Sequence, residues 1–296
     1  LAMKKATLLP FFLLGALSAD ATVNVAATTS NLGMLARTIG GDAVKVTVLA
    51  PPDRDPHFLQ AKPSMMIALR NADLLVSVGA ELEQGWLPSA LSGASNPKIL
   101  VGQPGYFEAC AQVPLIDKAD ASDRSRGDVH PMGNPHVFLD PERMAEIGRA
   151  LAGRLGKLDP AGEARFRAAA EQFAKTAAER VAQWKKTAAG AQGVVLYHKD
   201  ANYLLNLLGV PVLGYVEPLP GIPPTAEHLS TLVGQLKGRK GVVLFTDYQS
   251  AQGPDFLARN LGWPKARLAP EVPLNGDATA YFEMIDGWVK AVSSGK

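Results

Sequence analysis

The chain has 296 residues, 47% hydrophobic and 20% charged, a balance that belongs to a globular protein with room for two cores and excludes disorder or a coiled coil. Its 30 basic and 28 acidic residues are interspersed and leave a net charge of +2, so no basic stripe invites nucleic acid, and 7% aromatic residues give no platform for stacked bases. One cysteine, Cys110, excludes an intramolecular disulfide and any cysteine-built zinc cluster.

Met3-Lys4-Lys5 is a short positive stretch, Ala6 to Leu17 is apolar, and Ala19-Asp20-Ala21 has the small-x-small pattern of a cleavage site. Residues 1–21 are therefore expected to be a secretory signal peptide cut after Ala21, since the apolar stretch falls short of the roughly 20 residues that span a bilayer. Cys110 lies far from this region and cannot carry an N-terminal lipid, so the expectation is a free periplasmic protein and a monomer, not a lipoprotein.

Beyond the leader, short β-rich runs alternate with helical patterns, the mark of βα units around parallel sheets. Strands are expected near Val23 to Ala27, Val44 to Leu49, Leu74 to Val78, Ile99 to Val101 and Val137 to Leu139. Helices are expected over Asn31 to Ile39, stopped by Gly40-Gly41, over Lys62 to Asn71, and after Asp140-Pro141, where Asp140 can cap and Pro141 can fill the first turn. From Asp117 to Met132 the chain is polar and irregular, and is read as a mobile loop close to His136, with its His130 read as solvated and a role in the same site as the alternative.

From Pro160 to Ala188, Phe166, Ala170, Phe173, Ala177, Val181 and Trp184 recur at three- and four-residue steps and paint one apolar stripe along a helix of about 40 Å. Alternation then resumes, with strands at Val194 to Tyr197, Val210 to Val216, Val242 to Thr246 and Ala266 to Leu268. Helices follow at Ala201 to Leu208, Thr225 to Leu236, Pro254 to Asn260 and Tyr281 to Val292. The stretch Glu217 to Pro224, with four prolines, reads as a stiff wall beside a cleft. The resulting division is 1–21 leader, 22–158 first lobe, 159–190 connecting helix and 191–296 second lobe.

Three of the five histidines, His57, His136 and His198, stand at or beside the ends of strand-like runs far apart in sequence. Neutral imidazole binds transition metals strongly without adding a charge to be desolvated, so three such residues at element ends point to one ion held between loops of two halves. Ligands of open parallel sheets lie outside the carboxyl ends of the strands. A fourth donor is accordingly expected from Glu271, after the last strand, with Asp247 as competitor, Asp277 as a weaker candidate, and water as the remaining possibility.

The segments Asp55-Pro56-His57, Asn134-Pro135-His136-Val137-Phe138-Leu139-Asp140-Pro141 and Tyr197-His198-Lys199-Asp200-Ala201-Asn202-Tyr203-Leu204, in this order, resemble the histidine regions of the periplasmic zinc- and manganese-binding proteins of metal ABC importers, the cluster A-I solute-binding family. The resemblance runs from about Val23 to Val292. It implies an α/β fold of two lobes, each a four-stranded parallel sheet flanked by helices, joined by one long rigid helix with the metal in the cleft. It places His57, His136 and His198 on family ligands, puts the family's fourth ligand nearest Glu271, and implies a membrane permease as partner, with a periplasmic metallochaperone as a further one.

Three imidazoles and one carboxylate make a site suited to Zn2+, whereas Mn2+ favours more oxygen. The alternative is a secreted zinc-dependent hydrolase with three histidines and a water. An adhesin ranks below both, as no aromatic stripe or repeat supports it.

Overall fold

A computed structural model describes residues 22–118 and 130–296. The expected leader, and residues 119–129 of the expected loop, lie outside the described residues.

The first sheet contains β1 (Val23–Ala27), β2 (Val44–Val48), β3 (Leu74–Ser77) and β4 (Tyr106–Glu108) in the order β2-β1-β3-β4; the second contains β5 (Val194–Leu196), β6 (Val212–Tyr215), β7 (Val242–Thr246) and β8 (Lys265–Leu268) in the order β6-β5-β7-β8. Every pairing is parallel, so each sheet needs helices to carry the chain back and to cover both faces. In chain order these helices are α1 (Ser30–Gly40), α2 (Pro63–Arg70), α3 (Leu87–Ala94), α4 (Pro141–Leu158), α5 (Glu163–Ala188), α6 (Asn202–Leu208), α7 (Ala226–Leu236), α8 (Gln252–Leu261) and α9 (Ala278–Ser293).

The alternation of side chains along the central strands sorts the core into three parts. Val25, Ala27, Leu74 and Val76 of the first sheet share one apolar cluster with Val194, Leu196, Val242 and Leu244 of the second, whereas Ala26 and Leu75, and Val195, Val243 and Phe245, face separate clusters on the far side of each sheet. The shared cluster is completed by the stripe of α5, in which Phe166, Ala170, Phe173, Ala177, Val181 and Trp184 are all buried. Phe173 stacks on Phe282 of α9 with ring centroids 5.3 Å apart, and the Trp184 indole donates to Asp286 at 2.5 Å. The long helix is thus the common floor of both lobes.

Two expected strands take another form. Val137–Leu139 is a single 3-10 turn, fully buried, with the Phe138 carbonyl accepting from the Tyr281 hydroxyl at 2.9 Å. A three-residue apolar run has no periodicity to tell strand from turn, and the edge place beside β3 is already filled by β4. The strand expected at Ile99 to Val101 is displaced to Tyr106–Glu108: Leu100 and Val101 are exposed, and the chain enters β4 only after Gly105, where a Cβ would stand 2.5 Å from the carbonyls of Asp73 and Lys98. α3 was not expected, because Leu-Pro-Ser-Ala-Leu-Ser-Gly-Ala has weak helix propensity and is held by burying Leu87, Ala90 and Ala94. The capping at Asp140 does form, its Oδ1 accepting from the amides of Glu142 and Arg143.

Because one cluster serves both sheets, damage to it is felt on both sides. Phe173→Ala should cost about 3–5 kcal/mol. Its expected signature is a lower urea midpoint together with faster hydrogen exchange in β1 and β3 and in β5 and β7; acceleration in one lobe alone would contradict the shared core.

Candidate metal centre

The carboxyl ends of the two sheets meet, and the loops leaving them build the site. Two of its three histidines are presented by the same local device. In Asp55-Pro56-His57 and in Asn134-Pro135-His136, the acidic or amide side chain two residues before the histidine accepts both the histidine's backbone N–H, at 2.9 Å in each case, and its ring Nδ1–H, at 2.7 Å in each case. The intervening proline fixes the turn that lets one oxygen reach both donors. The third, His198, leaves the end of β5 and places its Nδ1 2.9 Å from Glu217 Oε2, in the proline-rich segment after β6.

With each Nδ1 held by an oxygen, Nε2 is the ring nitrogen that each histidine can offer an ion. One ligating atom from each of His57, His136 and His198 lies within 4.8 Å of those of the other two. His57 is further seated by the Trp86 indole, which donates to the Pro56 carbonyl at 2.9 Å. The His136 segment is seated from the opposite lobe: the Tyr203 hydroxyl donates to the Asn134 carbonyl at 2.6 Å, and the Asn134 amide reaches the Lys199 carbonyl at 3.0 Å.

The electrostatics fit a cation. Burial, with the neighbouring imidazoles of His198, His57 and His130, holds His136 well below the usual histidine range, so its ring is neutral; its Nε2 is buried with no hydrogen-bond partner among the described residues. For His198 burial acts downward, but the bond to Glu217 and the nearby carboxylates of Asp200 and Asp55 lift it to about 8. Burial raises Asp55, yet its bonds to His57 outweigh this and leave it below the usual aspartate value. A buried, neutral, partnerless imidazole nitrogen facing two others is an arrangement that an ion completes.

His130, expected to be solvated, is instead buried in the site: its Nε2 stands 3.3 Å from His57 Nε2 and its Nδ1 lies 3.0 Å from the Ala80 carbonyl. Ala80 and Glu81 both adopt positive φ, 47° and 69°, a costly conformation for residues with side chains. The polarity of the surrounding loop is what made solvation the first reading for this histidine.

The carboxylates considered for the fourth position separate clearly. Glu271 is buried after β8, its Oε2 accepting from the amide of Asn31 at 2.7 Å in the first turn of α1; burial pushes it up to about 8. Neither it nor Asp200 falls within the three-histidine cluster, and Glu271 Oε1 is buried with no hydrogen-bond partner among the described residues. Asp247 is exposed, and Asp277 caps α9 by accepting from the Ala280 amide at 2.9 Å. A carboxylate not singled out from the sequence, Asp200, is buried with its Oδ1 3.8 Å from His136 Nε2. Its place two residues after His198 was the available signal. The partners of Nδ1 were equally open to view, since Asx-Pro-His occurs at two of the three histidines.

Two helix-linked parallel-sheet lobes that bring three imidazoles to one centre define a two-lobed metal-binding protein. Residues 25–295 match the family described as zinc-uptake complex component A, periplasmic (ZnuA), and the chain belongs to that family. It is 26% identical over 244 residues to the high-affinity zinc uptake system protein ZnuA of Yersinia pestis, covering 77% of this chain and 76% of that one. It is 24% identical over 271 residues to the iron ABC transporter substrate-binding lipoprotein MtsA of Streptococcus pyogenes serotype M1, covering 86% and 84%. A crystal structure of ZnuA shares the fold with a TM-score of 0.74 at 20% identity, over 91% of this chain and 99% of that one.

The protein is therefore a substrate-binding protein of a metal ABC transporter, a class that works with a membrane permease and ATPase, and not an enzyme, which removes the hydrolase alternative. Among the described residues no helix is long and apolar enough to cross a membrane.

The anchors of Nδ1 should matter nearly as much as the rings they orient. Asn134→Ala leaves every histidine in place but frees the His136 ring, and is expected to weaken metal binding by about 10–100-fold. Isothermal titration of the metal-stripped protein measures this, and an unchanged affinity would show that Asn134 positions nothing.

Proposed function

We propose that the protein captures zinc outside the cytoplasm, binds it in the cleft between lobes 22–158 and 191–296 through His57, His136 and His198, and hands it to a membrane permease for high-affinity uptake. The observation that carries this reading is the convergence of one ligating atom from each of three histidines of both lobes, each ring fixed through Nδ1 by an oxygen acceptor. Imidazole nitrogen in a compact, buried setting suits tetrahedral zinc, at bond lengths of about 2.0–2.1 Å. Manganese and iron(II) favour more oxygen and higher coordination, and bind such donors more weakly in the Irving–Williams order. The zinc uptake relative supports the choice of ion; the iron transporter relative is the reason to test it.

The metal would bridge the lobes. His57 and His136 belong to loops of the first sheet and His198 to the second, so binding tightens the cleft and gives a permease a surface that differs between loaded and empty protein. We place this protein in the periplasm as a free monomer released from its leader.

Single alanine substitutions at His57, His136 and His198 should each weaken zinc binding by about two or more orders of magnitude while the far-ultraviolet circular dichroism stays that of the parent. Titration of the chelator-stripped protein tests the assignment, which fails if two of the three variants keep their affinity. In competition, zinc should displace manganese(II) and iron(II) at equal concentrations; retention of either against zinc would reassign the cargo.

A further inference from the structure

We propose that Asp117 is a positioning residue of the metal site: its carboxylate spans the two lobes, holding Asn134 of the first and Asn202 of the second, and so fixes the tautomer in which His136 meets the ion. The inference rests on the three-histidine reading above and adds to it a residue that acts through another side chain.

A single oxygen makes the link. Asp117 Oδ2 accepts from the Asn134 side chain at 3.1 Å and from the Asn202 side chain at 2.7 Å. Asn202 opens α6, directly after the turn that follows His198, and the Tyr215 hydroxyl donates to its Oδ1 at 3.1 Å, which turns its amino end toward Asp117. Asp117 stands at φ 55°, the left-handed region that a residue with a side chain enters at a cost, and from there its carboxylate reaches both amides. The residue itself is exposed, but the chain beside it is tied down: the Ile116 carbonyl accepts from the Asn134 amide at 2.8 Å, and the Ile116 amide donates to the Tyr203 hydroxyl at 3.2 Å.

The consequence falls on His136. An asparagine side chain has an accepting end and a donating end of nearly the same shape, and its neighbours decide which way it points. At Asn134 the donating end meets two acceptors, Asp117 Oδ2 and the Lys199 carbonyl at 3.0 Å, so the accepting end is left for the backbone N–H and ring Nδ1–H of His136. A ring that donates from Nδ1 keeps its proton there and leaves the Nε2 lone pair for an ion. With the amino end of Asn134 turned to it, Nδ1 would have to accept, and the proton would sit on Nε2, where it blocks a cation. The Lys199 carbonyl is a neutral acceptor; Asp117 adds a charge-assisted bond and engages both lobes at once.

The test uses the metal-stripped full chain and reads two quantities: zinc affinity, by competition with a chromophoric chelator, and the His136 tautomer, by long-range proton–nitrogen NMR of the imidazole. The variants are Asp117→Gly and Asp117→Asn, both chosen because they tolerate positive φ. Asp117→Gly should lower zinc affinity about tenfold and move His136 from a single Nδ1–H tautomer to a mixture with the Nε2–H form. Asp117→Asn, whose remaining oxygen can still accept from both amides, should stay within about threefold of the parent and keep the parental tautomer. Asp117→Gly with either the parental tautomer or the parental affinity overturns the inference. So does an Asp117→Asn as weak as Asp117→Gly, which would make the group a charge and not an acceptor. Should Asp117→Gly fail to fold, Asp117→Ser, whose hydroxyl is too short to span both amides, is read in the same way. Unchanged zinc binding by His136→Ala would instead sink the three-histidine reading, which a failure at Asp117 leaves standing.

Discussion

The apolar stripe of α5 is the constraint on which the rest of the molecule depends. A parallel sheet must be covered on both faces, and here α1 on the first sheet and α9 on the second both pack against α5, so the two lobes share one core instead of owning two. Burying side chains such as Phe166, Phe173 and Trp184 contributes roughly 1.5–3 kcal/mol each, and these terms accrue to both sheets together. With their floor in common, the loops above it approach in a fixed register.

That register is made specific by polar ties over the gap. Tyr203 to the Asn134 carbonyl, Tyr281 to the Phe138 carbonyl and Asn31 to the strand exit around Glu271 each join a residue of one lobe to backbone of the other. Each lies within a few residues of the metal centre or on an element that leads to it. Buried hydrogen bonds of this kind add little net stability but are expensive to break singly, which makes them good at fixing one arrangement. The histidine rings inherit that precision, because the Asn134 that accepts from His136 is itself held by Lys199 and Tyr203.

Much of this was legible in the chain, and what was not has physical causes. The seven-residue rhythm of the long helix, the βα alternation and the Asp140-Pro141 start of α4 survive into the structure because each is a local preference that tertiary packing reinforces. Val137–Leu139 became a turn because three apolar residues specify burial and not conformation. β4 slid beyond Gly105 because the sheet edge required a close backbone approach that only glycine permits there. His130 was read as solvated and Asp200 escaped notice, since their burial is decided by elements distant in sequence. Sequence spacing identifies which groups can ligate; the third dimension decides which of them are already occupied as caps, as Asp277 is.

The fourth ligand bears directly on which ion the site prefers. Three neutral imidazoles around a divalent ion leave its full charge to be screened by Asp55 and Glu217 through the rings, at one remove. A single directly bound carboxylate lowers the charge of the inner set while keeping it nitrogen-rich and four-coordinate, the condition in which zinc loses least on leaving water and in which an ion seeking six oxygen-rich contacts is poorly served. Copper and nickel would bind such donors at least as tightly, so raw affinity does not set selectivity. It must come from geometry, set by how many donors the loops of the two lobes present and how far apart they hold them.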